Sequence, residues 1–96
     1  MSYELRFHET ARKEWKKLDP TVRDQFLGVL ERRLENPRVP SARLRDLPDC
    51  YKIKLRSLGY RLVYQVLDAE VVVLVLAVGK RENDEAYRRA ARTLGK

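Results

Sequence analysis

Apolar residues along this chain recur with two different periods, and the changes of period mark its elements. Tyr3, Leu5 and Phe7 alternate with Glu4, Arg6 and His8, the pattern of a strand with one buried face. Ala11, Trp15 and Leu18 are then four and three apart, which predicts a helix. Asp19-Pro20 supplies a capping oxygen and a first-turn proline for a second helix, whose stripe is Val22, Phe26, Val29, Leu30 and Leu34. That helix ends at Asn36-Pro37, because a residue before proline is pushed out of the α region. Alternation returns at about Cys50 to Ser57, where Tyr51, Ile53 and Leu55 interleave with Lys52, Lys54 and Arg56. Leu58-Gly59 signals a tight turn, and Tyr60 to Leu67 reads as the returning strand. After the turn at Asp68-Ala69-Glu70, the unbroken run Val71 to Val78 predicts a central strand covered on both faces, ended by Gly79. A short helix from about Asp84 to Leu94 closes the chain.

These elements define an α+β fold. The expected arrangement is an N-terminal strand, an antiparallel helical pair on one face of a largely antiparallel four-stranded sheet, and a short C-terminal helix, with the helices gathered on one side. No repeat, low-complexity tract or Gly/Ser linker divides the chain, so residues 1–96 are expected to form a single domain. A chain of this size buries roughly 60 to 68% of its unfolded surface, so each core side chain carries weight. Cys50 is the only cysteine, which excludes an intramolecular disulfide. With a single histidine, His8, there is no dense zinc-ligand set either. No signal-like segment opens the chain and the longest apolar run is far shorter than the ~20 residues of a membrane helix. A soluble protein with no membrane contact, in a reducing cytoplasmic setting, is the simplest expectation.

Charge changes this picture. The net charge is +7, but residues 1–37 hold eight Lys/Arg against seven Asp/Glu and residues 62–96 hold six against five. Residues 38–61 hold seven against two, and so supply +5. A charge gathered in this way produces a directional field suited to a polyanion. With Tyr51, Ile53 and Leu55 turned to the helical pair, Lys52, Lys54 and Arg56 project from the opposite sheet face, and Arg61 falls on the adjacent strand. Arg81 follows the central strand and Tyr87 lies a turn or two into the last helix. A merely solvated face is usually mixed in sign; this one has no acid interleaved with its cations.

The run "LPDCYKIKLRSLGYRLVYQV", the later "VGKRE" and the tyrosine at 87 resemble the RelE family of ribosome-dependent mRNA interferases, toxins of toxin–antitoxin pairs. The likeness extends from the "ARKEWKKL" helix to the last helix. By this resemblance Lys52, Lys54, Arg61, Arg81 and Tyr87 match the family's active-site set, and Arg45, with Lys52, Arg56 and Tyr87, matches its RNA path. The resemblance implies attack of a ribose 2′-hydroxyl on the adjacent phosphate of A-site mRNA, giving a 2′,3′-cyclic phosphate and a 5′-hydroxyl, with no metal or cofactor. Lys54 would be base or proton relay, Arg61 and Lys52 the phosphate clamp, Arg81 the stabiliser of the leaving oxygen, and Tyr87 a stacking platform. It also implies a RelB-like antitoxin, the ribosome as partner, and operator DNA bound only by the toxin–antitoxin complex. Relatives that use a glutamate and a C-terminal histidine are set aside, because the second half of this chain has no histidine. The same frame serves ParE-like gyrase inhibitors, so a gyrase-directed toxin and a non-catalytic RNA-binding module remain the alternatives. His8 reads as a surface residue and Trp15, sharing a face with Ala11 and Leu18, as a core anchor.

Overall fold

The computed structural model describes residues 2–95. Strand β1 (Glu4–Phe7) leads into helix α1 (Glu9–Lys17) and helix α2 (Pro20–Glu35), followed by β2 (Cys50–Leu55), β3 (Tyr60–Leu67), β4 (Val72–Lys80) and helix α3 (Glu85–Thr93). The four strands form one mixed sheet in the order β1-β4-β3-β2, with β1 parallel to β4 and the other pairs antiparallel.

Local chemistry starts the helices where the sequence places them. His8 accepts the Thr10 N–H at 3.3 Å through Nδ1, capping α1, and Asp19 Oδ1 accepts the Thr21 N–H at 2.8 Å at the head of α2. The stripe of α2 is then driven onto the sheet. Phe26 and Leu30 are wholly buried with Tyr51, Ile53, Leu55, Leu62 and Tyr64. Trp15 joins this layer as an anchor, its ring centroid 4.9 Å from Phe7 and 6.2 Å from Phe26. Tyr64 brings a hydroxyl into the core and satisfies it there, donating to the Pro37 carbonyl at 2.6 Å and accepting from Arg33 at 2.9 Å.

Three details depart from the expected layout, and each bears on the cationic face. First, the helices are not gathered on one side: α1 and α2 cover one face, whereas α3 lies on the other. There Ala86 and Ala90 pack with Leu47, Cys50, Val63, Leu76 and Ala77 as a second apolar layer. The unbroken apolar character of the central strand is thus explained by helices on both sides. Second, β4 carries a bulge. Val63 pairs with Ala77 but Tyr64 with Val75, so Leu76 is an extra residue, and Leu76 and Ala77 both point into the α3 layer.

Third, Gly79 does not end β4, which continues to Lys80 with Gly79 opposite Arg61. A Cβ at Gly79 would meet Glu85 Cβ, Glu85 Oε2 and an Arg89 nitrogen of α3, each at 3.2 Å. Glycine is there to let the helix approach the strand. Arg89 completes the contact, donating to the Val78 carbonyl at 2.9 Å and pairing with Glu14 of α1 at 3.5 Å. Among the described residues no helix is long and apolar enough to cross a membrane.

Candidate RNA-cleaving face

The β2–β3 hairpin fixes the register of the cations. Lys52 stands across from Val63 and Lys54 directly across from Arg61. Because side chains alternate along a strand, all three lie on the face that α3 covers further along. Strand β2 stops at Leu55, two residues before its expected end, so Arg56 sits in the turn at 56–59 rather than on the strand. Gly59, at φ 71, closes that turn through bonds from its N–H to Leu55 and Arg56. Arg81 is tied to the same turn, its backbone N–H donating to the Gly59 carbonyl at 2.8 Å. In consequence Lys54, Arg56, Arg61 and Arg81 line one depression of about 190 Å³ with Leu55 and Tyr60.

Of the other residues singled out, Lys52 and Arg45 line a separate, broader groove of about 550 Å³ with Arg43, Pro40 and Ser41. Tyr87 reaches the depression only through Arg61, whose guanidinium carbon lies 5.1 Å from the ring centroid. The structure therefore collects four cations around one hollow, sets Tyr87 behind one of them, and places Lys52 and Arg45 along a track beside it.

The electrostatics follow from this crowding. Lys54 is held below the ordinary lysine range, first by the Lys52 charge, then by desolvation, then by Arg61 and Arg56. Tyr87 is pushed up by burial, with Arg61 acting against the shift and Asp84 adding to it. Among the described residues Arg43, Arg45, Lys52, Lys54, Arg56 and Arg81 have no ion pair. Arg38 and Arg61 are different. Arg38 pairs with Asp68 at 2.7 Å and Asp49 at 3.1 Å, so its charge ties loops together. Arg61 pairs with Asp84 at 2.7 Å. The expectation of a face without counter-charge is corrected at that one position: the acid comes from the segment leading into α3, not from the sheet.

Asp84 is the residue that sequence reasoning missed. The pattern of residues 84–94 makes it the first residue of the last helix; it instead precedes that helix in a left-handed conformation, φ 51 and ψ 40, directly after Asn83 at φ 60. The readable signal was the Asn-Asp pair, since these are the non-glycine residues that adopt this conformation most easily. What the carboxylate would touch had no local signature.

Comparison with known proteins identifies relatives of this chain. Residues 5–85 match the family model described as the ParE toxin of the type II toxin–antitoxin system, parDE. The mRNA interferase toxin RelE of Escherichia coli strain K12 is 56% identical over 94 residues, which span 98% of this chain and 99% of that protein. The structure of a double mutant of E. coli toxin RelE in the free state superposes with a TM-score of 0.90 at 55% identity, covering 98% of this chain and 99% of the other. The toxin in the intact E. coli RelBE toxin–antitoxin complex gives 0.82 at 58% identity, over 85% and 100% of the two chains. By its fold and this family match the chain is a member of the RelE/ParE toxin superfamily. Within it, the full-length likeness shows that the chain belongs to the RelE family.

Proposed function

We propose that this chain, acting as a single domain, is the toxin of a toxin–antitoxin pair and an endoribonuclease that cleaves mRNA in the ribosomal A site. The observation that carries the reading is the hollow in which Lys54 faces Arg61 across the hairpin with Arg56 and Arg81 beside them. Such a hollow supplies the charges that cleavage of RNA by its own 2′-hydroxyl requires. The 2′-oxygen bonds to phosphorus as its proton leaves, the phosphorane gathers extra negative charge, and the bond to the 5′-oxygen breaks. Lys54, with its lowered proton affinity, takes or relays the 2′-proton. Arg61 and Lys52 hold the phosphate, and Arg81 stabilises the departing 5′-oxygen through a hydrogen bond while that oxygen takes its proton from protonated Lys54 or from water. Tyr87 backs Arg61 with one ring face, and a base stacking on the ring would use the other.

Magnitudes explain the role assigned to the ribosome. Acid–base assistance contributes roughly 10²- to 10⁴-fold, and loss of one charge-stabilising donor costs about 3 to 4 kcal/mol. In-line alignment is worth up to ~7 to 11 kcal/mol. A shallow open face is poorly equipped to impose that alignment on flexible RNA, whereas a codon held in the A site is already ordered. Ribosome-bound mRNA should therefore be cut far faster than the same RNA free in solution, and equal rates would refute the assignment.

Likeness to the toxin of the RelBE complex supports a RelB-like antitoxin as partner. That antitoxin would cover the cationic face, and the pair would bind operator DNA as a complex. The site of action is the cytoplasm, where translation occurs. The family model names ParE toxins, which keeps a gyrase-directed reading in play, but the full-length likeness to an mRNA interferase favours RNA. The deciding experiment maps 5′-ends on translated mRNA after brief expression, with Arg81→Ala as control. New ends within codons that vanish with the substitution support the reading. DNA damage preceding any loss of translation would sink it.

A further inference from the structure

Arg61 is bonded unevenly. One terminal nitrogen donates to Asp84 at 2.7 Å and the flat face lies against Tyr87, yet Nε is buried with no acceptor among the described residues. A guanidinium presents five N–H groups in a rigid fork that suits a carboxylate or a phosphate. Asp84 engages only part of it. The carboxylate is also diverted from its usual work, because an aspartate in this position ordinarily caps the helix, and Asp84 makes no side-chain bond to the α3 N–H groups. Its side chain is 63% exposed against 18% for Arg61, so the acid can swing into water while the arginine stays in place. Asp84 also borders a hollow of about 370 Å³ whose charged and aromatic lining is Arg45, Asp46, Tyr87 and Arg88, so two further arginines stand there beside one further acid.

We infer that Asp84 is an internal stand-in for the RNA phosphate: in the free protein it occupies the phosphate seat on Arg61, and RNA binds by displacing it. This rests on reading Arg61 as a phosphate clamp. Asp84 touches the arginine rather than the RNA, and is a positioning residue. A tethered acid sets a threshold. A free inorganic phosphate must compete with it unaided, whereas a phosphate within an RNA strand arrives with neighbouring nucleotides held by Arg45 and Arg56. The pair is partly exposed, so the threshold is modest, a factor of roughly two to five in affinity.

The test measures binding of a single-stranded 2′-O-methyl RNA oligonucleotide, which lacks the attacking hydroxyl, by the full chain over a range of salt. Asp84→Asn keeps a side chain that tolerates left-handed backbone and removes the charge. Asp84→Gly removes the side chain and guards against a new bond made by the amide. Both should bind roughly two- to fivefold tighter than wild type, with a steeper dependence of log K on log salt, by up to ~0.7. Asp24→Asn makes the same change in net charge on the exposed side of α2 and should do neither. Adding Arg61→Ala to Asp84→Asn should erase the gain. If wild type binds better than Arg61→Ala but Asp84→Asn binds no better than Asp24→Asn, the stand-in is overturned and the clamp survives. If Arg61→Ala binds as well as wild type, the clamp reading falls and this inference falls with it.

Discussion

Lys54 stands directly opposite Arg61 on the β2–β3 hairpin, two cations at a cross-strand position where like charges repel. A strand pair selected for stability alone would have placed an acid there. Removing the charge with Lys54→Met should leave the melting temperature unchanged or raise it by roughly 1 to 3 °C. The same variant should lose about 10²-fold or more in single-turnover cleavage. A clear fall in melting temperature would show that Lys54 is structural.

The lowered proton affinity of Lys54 has a pH signature. Its causes, Lys52, desolvation, Arg61 and Arg56, all disfavour the ammonium, so more free amine is present at a given pH than for an ordinary lysine. If the amine accepts the 2′-proton, the single-turnover rate climbs as pH rises through the neutral range. Lys52→Met removes the largest cause, moving the lysine back up and displacing the whole profile to higher pH. A flat profile in wild type would remove the base assignment and leave Lys54 a purely electrostatic role.

Gly79 is the point at which α3 meets β4. Its substitution by alanine inserts a methyl group 3.2 Å from Glu85 Cβ, an atom held by the helix backbone. Side-chain ends can move aside, but the helix must shift, at a cost of about 1 to 3 kcal/mol. Hydrogen exchange should report it as faster exchange of the α3 amides and of Asp84, with the amides of α2 slowed or accelerated only as far as global stability changes. Uniform behaviour across the chain would contradict the account.

Cys50 is predicted to be chemically silent. Burial, with help from Asp49, pushes its thiol up to about 12, and Sγ donates to the Pro48 carbonyl at 3.3 Å. At pH 8 about one molecule in 10⁴ would carry the thiolate that alkylating reagents need. Native protein should resist iodoacetamide and react promptly once unfolded in denaturant. Rapid native labelling would show that the layer beneath α3 opens easily.

Much of this architecture was written in local order. Alternation at 51–55, the stripe of α2 and the Asp19-Pro20 start each depend on contacts within a few residues, so their periodicity could be read directly. The same alternation sent Lys52 and Lys54 to the face opposite Tyr51, Ile53 and Leu55. The clustering of positive charge in residues 38–61 marked the stretch that carries the hairpin. For β2 the sequence by itself determined that Tyr51, Ile53 and Leu55 are core and that Lys52 and Lys54 share the other face, because a regular strand's period of two leaves no other assignment.

Only the tertiary structure decided what closes over that face. Nothing local to 85–93 says which side of the sheet α3 takes, nor that the bulge at Leu76 turns two neighbouring residues toward it. Gly79 reads as a strand end until a helix is seen resting on it. The pairing of Asp84 with Arg61 spans 23 positions and depends on both the helix's placement and the left-handed turn before it. Periodicity records how a segment meets water or core, whereas a contact between two segments depends on how their surfaces pack.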